Sequence, residues 1–520
     1  CTVAELNSSG FARPDILDAK TMSTVADILA SVEKGGMDAV QDFALKFGDI
    51  QPGGQLVFSR QDLQAHLEGV SDDVRGVLLR TVNRVRSFAE AQLASAQHCV
   101  WSSADGVEAG HHVKALESAG CYAPGGGYPL PSSVIMTVVP ARVAGVKNVW
   151  VASPKPTPVT LAAAALAGAD GLLAVGGAQA VGAFAYGAGA VPACKAIVGP
   201  GSRFVTAAKK LVSGRVRIDM LAGPSEVCVV ADSSADPDLV AADLVAQAEH
   251  DTLAAPYLVT TDVSIVDEVN KRLPELVSAL PEPNASIAAA AICNHGYSVV
   301  VADSSEAATV VDILAPEHLE VMIDGDEFAF MNSCSSYGAA FLGHEAAEVL
   351  GDYGAGPNHT LPTNGSAAVA SGLSVLTFLK FPTWMRVTNR SKMGSLVRDA
   401  MSLAQLEGLV GHHNAAAGRK LMCGSPSPRE KHELERADTE CLLAVPKKGR
   451  LAEFVLQLLA GAGVKFGNRG RSDCVRCVNM PLTLYFLRAS DIARFVGDGR
   501  IDMGITGEVC SVGMQCFFLC

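Results

Sequence analysis

The sequence predicts an α/β protein built on parallel sheets, on three observations. Short apolar runs rich in Val and Ile alternate with Ala-rich helical stretches. Glycine-bearing loops stand at the junctions between them. The chain has 520 residues, 49% hydrophobic and 18% charged, which excludes a disordered chain and exceeds the usual size of one domain. Strands that alternate with helices pair in parallel, because a parallel pair needs a long crossover and a helix supplies it.

The elements follow in order. Residues 21–47 predict a helix, with Val25, Ile28, Leu29 and Val32 on one face and Val40, Phe43 and Phe47 beyond them. Residues 73–97 predict another through Val74, Val77, Leu78, Val82 and Val85. Strands are then expected at 149–152, 172–175, 195–198, 227–231, 257–260 and 298–302. Helices follow them at 158–167, 178–186, 203–212, 237–249, 262–272 and 304–314. Ligands of such sheets bind beyond the carboxyl ends of the strands. The loops there carry Gly125-Gly126-Gly127, Gly176-Gly177-Ala178-Gln179, Gly199-Pro200-Gly201-Ser202 and Gly223-Pro224-Ser225-Glu226. Each by itself reads equally well as an ordinary turn. Together they point to a ligand crevice, since glycine lets a ligand approach the backbone closely. None of them is a G-x-G-x-x-G, so the usual dinucleotide fingerprint is absent.

Charge divides the chain. Acidic residues number 54 and basic residues 41, a net of −13, which argues against nucleic-acid and anionic-membrane partners. Residues 441–520 carry 10 Lys and Arg against 6 Asp and Glu, a net of +4, and the first 440 residues carry −17. Residues 424–440 are polar, with Pro426, Pro428 and mixed charge, and read as a linker. The 14 cysteines are scattered, as in a reduced intracellular protein. Cys474 and Cys477 form one C-x-x-C with no second pair at zinc-finger spacing. Residues 171–194 and 353–379 lack charge, but Gly and Pro break both, so no membrane span is expected. The expectation is a soluble protein of the cytoplasm or plastid stroma. The first residue is Cys1 and not Met, so a preceding segment is expected.

Twelve histidines occur. His66, His98, His295, His344 and His432 read as solvated or packed, and His111 and His112 adjoin a loop. The others stand near acids or amides. Gln247 and His250 are spaced i, i+3 on one face of a predicted helix. Glu317 adjoins His318, Asp352 and His359 share a glycine-bearing loop, and His412 and His413 follow Glu407. His with Asp suits a divalent metal such as zinc, and an adjacent Glu–His pair suits acid–base work. Spacing alone does not choose the ligands. On chemistry, Glu249 looks a better one than Gln247, because a carboxylate binds zinc more strongly than a neutral amide.

The ordered blocks are specific together. They are the run from Gly120 to Val134, Gly176-Gly177-Ala178-Gln179, Gly199-Pro200-Gly201, Ala222-Gly223-Pro224-Ser225-Glu226 and Gln247-Ala248-Glu249-His250-Asp251. Further on come Ala315-Pro316-Glu317-His318-Leu319-Glu320, Gly351-Asp352-Tyr353, Asn358-His359-Thr360-Leu361-Pro362-Thr363 and Glu407-Gly408-Leu409-Val410-Gly411-His412. Over residues 12–423 the chain resembles the histidinol dehydrogenase family. The resemblance implies two Rossmann-like parallel-sheet domains. One is discontinuous, 12–121 with 232–372, and carries the zinc and catalytic residues. The other, 122–231, is the NAD side. A small helical part at 373–423 would dimerise, in a homodimer whose subunits share each site.

The implied reaction oxidises L-histidinol to L-histidine through L-histidinaldehyde, with two NAD+ and one zinc (Zn2+) per site. The implied metal ligands are Gln247, His250, Asp352 and His412, the last given by the partner chain, so Glu249 yields to Gln247. His412 is preferred to His413 by its place five residues after Glu407. Glu317 would activate water and His318 would act as the base. Ser225, His359 and Glu407 would join these residues in holding the substrate. Tyr122, Gln179 and Ser202 would contact the cofactor, although the family carries Asn where Ser202 stands. A zinc hydrolase using Glu317 and a non-catalytic dimeric scaffold are the competing readings.

The tail has its own resemblance. Lys447-Lys448-Gly449-Arg450 after an apolar run, then the stretch from Phe486 to Glu508, resemble the start of ATP phosphoribosyltransferase. Residues 441–520 would form a partial α/β domain handling phosphate. The loop that binds phosphoribosyl diphosphate in that family is absent, so no independent transferase activity is expected.

Overall fold

The computed structural model describes residues 17–125, 128–420, 423, 441–467, 473–498 and 500–506. They divide into two units, Cys1–Cys99 with His111–Thr383, and Val100–Gly110 with Trp384–Cys520. Gly126, Gly127 and the expected linker at 424–440 lie outside the described residues.

The first unit opens with α1 (Ala19–Lys46), β1 (Val57–Ser59), α2 (Arg60–Gly69) and α3 (Asp72–Ser95). The chain then runs through β2 (Cys99–Ser102) and β3 (Val107–His111), which pair in the second unit. It continues as β4 (Lys114–Ala115), β5 (Ser118–Tyr122), α4 (Pro131–Val143), β6 (Asn148–Ala152), α5 (Pro158–Ala167) and β7 (Gly171–Leu173). Next come α6 (Gly177–Tyr186), β8 (Ala196–Val198), α7 (Arg203–Val212) and β9 (Arg217–Ile218). The first sheet has the order β1-β7-β6-β5-β8-β9, with only β1 antiparallel to its neighbour. One face is covered from α1, α6 and α7 by Val25, Leu29, Val32, Val181, Phe184 and Val205. The other is covered from α2 to α5 by Leu63, Val82, Val85, Val134, Val138 and Leu161.

The second sheet begins at β10 (Glu226–Ala231), followed by α8 (Pro237–Ala248), β11 (Ala255–Thr260), α9 (Val263–Ala279), α10 (Asn284–His295) and β12 (Tyr297–Val300). Then come α11 (Ser304–Leu314), β13 (His318–Met322), α12 (Glu327–Ser333), β14 (Ala339–Leu342) and α13 (Glu348–Asp352). All five strands are parallel, in the order β12-β11-β10-β13-β14. Every residue of β10, β11 and β13 is buried, as parallel strands covered on both faces must be. Helix starts follow the capping rules. Asp236 accepts from the Asp238 amide at the head of α8 with Pro237 in the first turn, and Thr157 and Pro158 repeat the device at α5.

The sheets divide the chain differently from the expected boundaries. Of residues 12–121, β1 and β5 join the first sheet and α1 to α3 cover it, and none joins the second, while β10, expected on the NAD side, founds the second. The reason is burial. Leu63, Val82 and Val85 bury their apolar faces on the first sheet, and β10 needs cover on both faces, which α8 and α11 provide. Residues 373–383 also stay with the first unit, where Val375 and Phe378 are buried and β15 (Leu379–Lys380) pairs with β4. Strands β5 and β13 were not expected. β5 is too rich in small residues to read as a strand, and a Cβ at Gly120 would lie 2.4 Å from the Phe184 ring.

The second unit holds β16 (Thr383–Val387) in a sheet ordered β16-β3-β2, then α14 (Gly394–Leu406) and α15 (Val410–Lys420). It also holds β17 (Cys441–Pro446), α16 (Arg450–Gly461), β18 (Cys474–Arg476), β19 (Leu482–Leu487), α17 (Ala489–Gly497) and β20 (Met503–Gly504). These strands form a sheet ordered β18-β19-β17-β20, in which only β18 is antiparallel. Among the described residues no helix is long and apolar enough to cross a membrane.

Candidate active site

The catalytic candidates gather at the amino ends of the second sheet, not at the carboxyl ends that open α/β sheets normally use. Val227 and His318 are register partners, so Ser225-Glu226 and Glu317-His318 enter the sheet side by side. Helix α8 returns from β10 and delivers Gln247 in its last turn, with His250 just past its end. The loop after α11 is held open by Ala315, at a left-handed φ of 40°. Gly338 lies against Glu317 so closely that a Cβ there would stand 2.5 Å from the Glu317 carbonyl oxygen.

His318 is the hub. Its Nδ1 lies 3.0 Å from Gln247 Oε1 and 3.1 Å from Glu348 Oε2. Gln247 Oε1 is an acceptor, so Nδ1 carries a proton and donates it there, with the Glu348 carboxylate beside it. Nε2 is buried without a hydrogen-bond partner, 3.8 Å from Asp352 Oδ1. Gln247 is fully buried, and its Nε2 lies 3.2 Å from His250 Nδ1. His359 donates from Nδ1 to the Asp352 carbonyl at 3.0 Å, and its Nε2 stands 3.4 Å from Ser133 Oγ. Glu317 Oε2 accepts the Glu226 amide at 3.1 Å.

Electrostatics sets the proton inventory. Burial drives the Glu317 carboxyl up to about 8. Burial opposes charge on His318, yet the carboxylates of Glu317, Glu348 and Asp352 outweigh it and push the imidazole up to about 10. Burial lowers His359 and keeps it neutral. Behind His318, burial and neighbouring carboxylates raise Asp243 to about 6 and Glu320 well above the ordinary range.

Reasoning from residue spacing missed Glu348, Glu320 and Asp243. Glu320 had a signal, because it sits two residues after His318 and shares a strand face with it. Glu348 had none, since it arrives from a separate short helix. Glu249 accepts from Asn284 Nδ2 at 2.9 Å.

The cofactor candidates lie on the first sheet, beyond the carboxyl ends of its strands. Tyr122 ends β5, is buried, and accepts the Gly177 amide at 3.1 Å. Burial raises its hydroxyl to about 12. Gln179 is buried in the first turn of α6, with Nε2 3.4 Å from Asp49 Oδ2. Ser202 is the N-cap residue of α7, is exposed, and makes no capping bond. Ser225 lies just ahead of β10 and its carbonyl accepts the Ala255 amide at 3.0 Å. Glu407 caps the end of α14 and His412 sits in the first turn of α15, both exposed and both in the second unit. Among the described residues no group of three or more His, Cys, Asp or Glu could hold a metal ion.

A family model for histidinol dehydrogenase matches residues 12–420. The chain belongs to the histidinol dehydrogenase family. It is 42% identical to the histidinol dehydrogenase of Dechloromonas aromatica over 76% of this chain and 92% of that one. It is 39% identical to a sulfopropanediol 3-dehydrogenase of Ruegeria pomeroyi, over 76% and 91%. The crystal structure of histidinol dehydrogenase from Elizabethkingia anophelis superposes with a TM-score of 0.74 at 31% identity, covering 81% of this chain and 96% of that one. Family membership makes the chain an oxidoreductase of an α/β fold, in a family that generally uses zinc and NAD and generally forms dimers. Residues 441–506 lie outside the match.

Proposed function

We propose that the chain oxidises L-histidinol to L-histidine through L-histidinaldehyde, passing two hydrides to two NAD+. One observation carries the reading. A buried histidine, His318, has its Nδ1 anchored and its Nε2 unpartnered, with the carboxyl of Glu317 beside it. The donors around it suit zinc, which takes nitrogen and oxygen ligands. Gln247 and His250 touch, and Asp352 Oδ1 approaches His318. These three would hold zinc together with His412 of the partner subunit. A set of one amide, one His, one Asp and one donated His leaves only two His, Cys, Asp or Glu ligands in the first unit.

When bound, zinc supplies a positively charged template for the imidazole and amino nitrogens of the substrate, and nicotinamide accepts hydride. In its neutral form, His318 takes the hydroxyl proton at Nε2 as hydride leaves the alcohol carbon. Glu317, as the carboxylate, takes a proton from the water that adds to the aldehyde carbon, and His318 gives its proton to the aldehyde oxygen, so that the hydrate forms and His318 is again free to accept. His318 takes a hydrate hydroxyl proton during the second oxidation. Ser225, His359 and Glu407 hold the substrate, and Tyr122, Gln179 and Ser202 hold the cofactor. We infer that residues 441–506 correspond to the start of an ATP phosphoribosyltransferase and carry no activity of their own. Phosphoribosyl-ATP formation by the full chain would overturn that.

The deciding assay follows NADH absorbance with L-histidinol, with and without a chelator. Histidinol-dependent NADH that the chelator abolishes supports the reading, and its absence in zinc-loaded dimer rejects it. Sulfopropanediol is the competing substrate to run alongside, because a relative is named for it.

A further inference from the structure

The first sheet hides an ion pair that no catalytic step uses. Lys209, on α7, and Asp219, just after β9, contact each other with side chains 2% and 0% exposed. A buried pair of this kind is a weak source of stability, because desolvation offsets its attraction. Its other bonds say what it does. Lys209 Nζ donates to the Gly199 carbonyl at 3.0 Å, and Asp219 Oδ2 accepts the Gly199 amide at 2.7 Å. One ion pair therefore grips both polar groups of a single glycine. Asp219 Oδ1 also accepts the Met220 amide at 2.7 Å, and Thr206 Oγ1 donates to the Ala222 carbonyl at 2.9 Å.

The gripped glycine sits at a decisive place. Strands β6 and β7 lie to one side of β5, and β8 and β9 to the other. The order reverses between β5 and β8, the crevice where such sheets take a nucleotide. Gly199 follows β8 there at a φ of 114°, and a Cβ on it would stand 2.0 Å from the Tyr122 carbonyl oxygen. Three residues later the loop ends at Ser202, and Tyr122 and Ser202 are both proposed cofactor contacts.

We propose that Lys209 and Asp219 are positioning residues for the cofactor, fixing the loop from Gly199 to Ser202 against Tyr122 so that NAD+ meets it already ordered. The inference rests on the cofactor reading above. An unordered loop must be ordered by the ligand, and affinity falls by that cost. The catalytic cluster on the second sheet is untouched, so chemistry at saturating NAD+ is preserved.

The test compares two paired replacements in the full-length, zinc-loaded protein. Lys209→Met with Asp219→Leu removes the charges and both bonds to Gly199. Lys209→Gln with Asp219→Asn removes the charges but keeps a donor and an acceptor. NAD+ affinity is read by calorimetry, and KM and kcat by NADH formation. The apolar pair is expected to weaken NAD+ binding and raise its KM about tenfold, with the histidinol KM and kcat within about threefold of the unaltered protein. The hydrogen-bonding pair is expected to recover most of that loss. Unchanged NAD+ affinity in the apolar pair, or equal loss in both pairs, overturns the proposal and leaves the cofactor reading standing. Failure of the apolar pair alone to fold marks the ion pair as a stability element and also overturns it. Absence of NAD+ binding by the unaltered protein overturns the cofactor reading and the proposal together.

Discussion

At the scale of single residues, the chemistry turns on which nitrogen of His318 carries the proton. Gln247 accepts at Nδ1 and Glu348 stands 3.1 Å from it, which leaves Nε2 as the base once His318 is neutral. His318→Asn removes that base and leaves the proposed metal ligands themselves unreplaced. It should lower kcat by about 10²- to 10⁴-fold, while metal analysis finds zinc retained; undiminished turnover would remove His318 from the mechanism. Ser202 makes the opposite kind of prediction. Its short hydroxyl stands where the resemblance implies a carboxamide, at the uncapped start of α7. Ser202→Asn is expected to lower the NAD+ KM by a few-fold and leave the histidinol KM alone; a raised NAD+ KM contradicts the contact. These residues were legible in the sequence because they sit in contiguous blocks. The role of Glu348 was not, since only folding brings it from its own helix to His318.

At the scale of elements, α8 and β13 enclose more acid than they can neutralise. Burial and the charge of Glu348 hold Asp243 at about 6, and burial with Asp243 holds Glu320 well above its ordinary value. The folded state therefore binds more protons here than the unfolded chain. That contribution is fully present below the unfolded value of 3.8 and is lost as pH rises through about 6. Asp243→Asn should raise the melting temperature relative to the unaltered protein at about pH 8, and much less at about pH 4. An equal effect at both values would show that the carboxyl is not the source. Most helices and the Val-rich strands were legible from their period. β13 was not, because Pro316 and a run of acids and His mask the alternation, and with it went the shared face of His318 and Glu320.

At the scale of the whole molecule, the proposed site needs a second copy of the chain. A twofold dimer that exchanges His412 has two equivalent shared sites. His412→Ala and His318→Asn should each be inactive. Mixed by co-expression, half of the dimers are heterodimers with one intact site each, so about a quarter of normal activity should return. No recovery would place His412 in its own subunit's site or outside the chemistry. The second expectation concerns the tail. A chain ending at Cys423 should keep its turnover, since the matched residues end at 420; a collapse of activity would show that the +4 segment serves the enzyme.

By itself the sequence determined the α/β class, the order of most elements, the two charge regimes and the residue types of the site. Those are local properties: apolar period, glycine at junctions, and acids beside histidines in short blocks. Tertiary structure decided the rest. It assigned β10 and the first hundred residues to their sheets, because burial and not chain order chooses which face covers which. It placed the proposed acid–base pair at the amino ends of the second sheet and the proposed cofactor contacts at the carboxyl ends of the first. It brought Gln247 to His318 and Glu249 to Asn284. And it revealed Lys209 with Asp219, since only the fold brings their opposite charges together around one glycine.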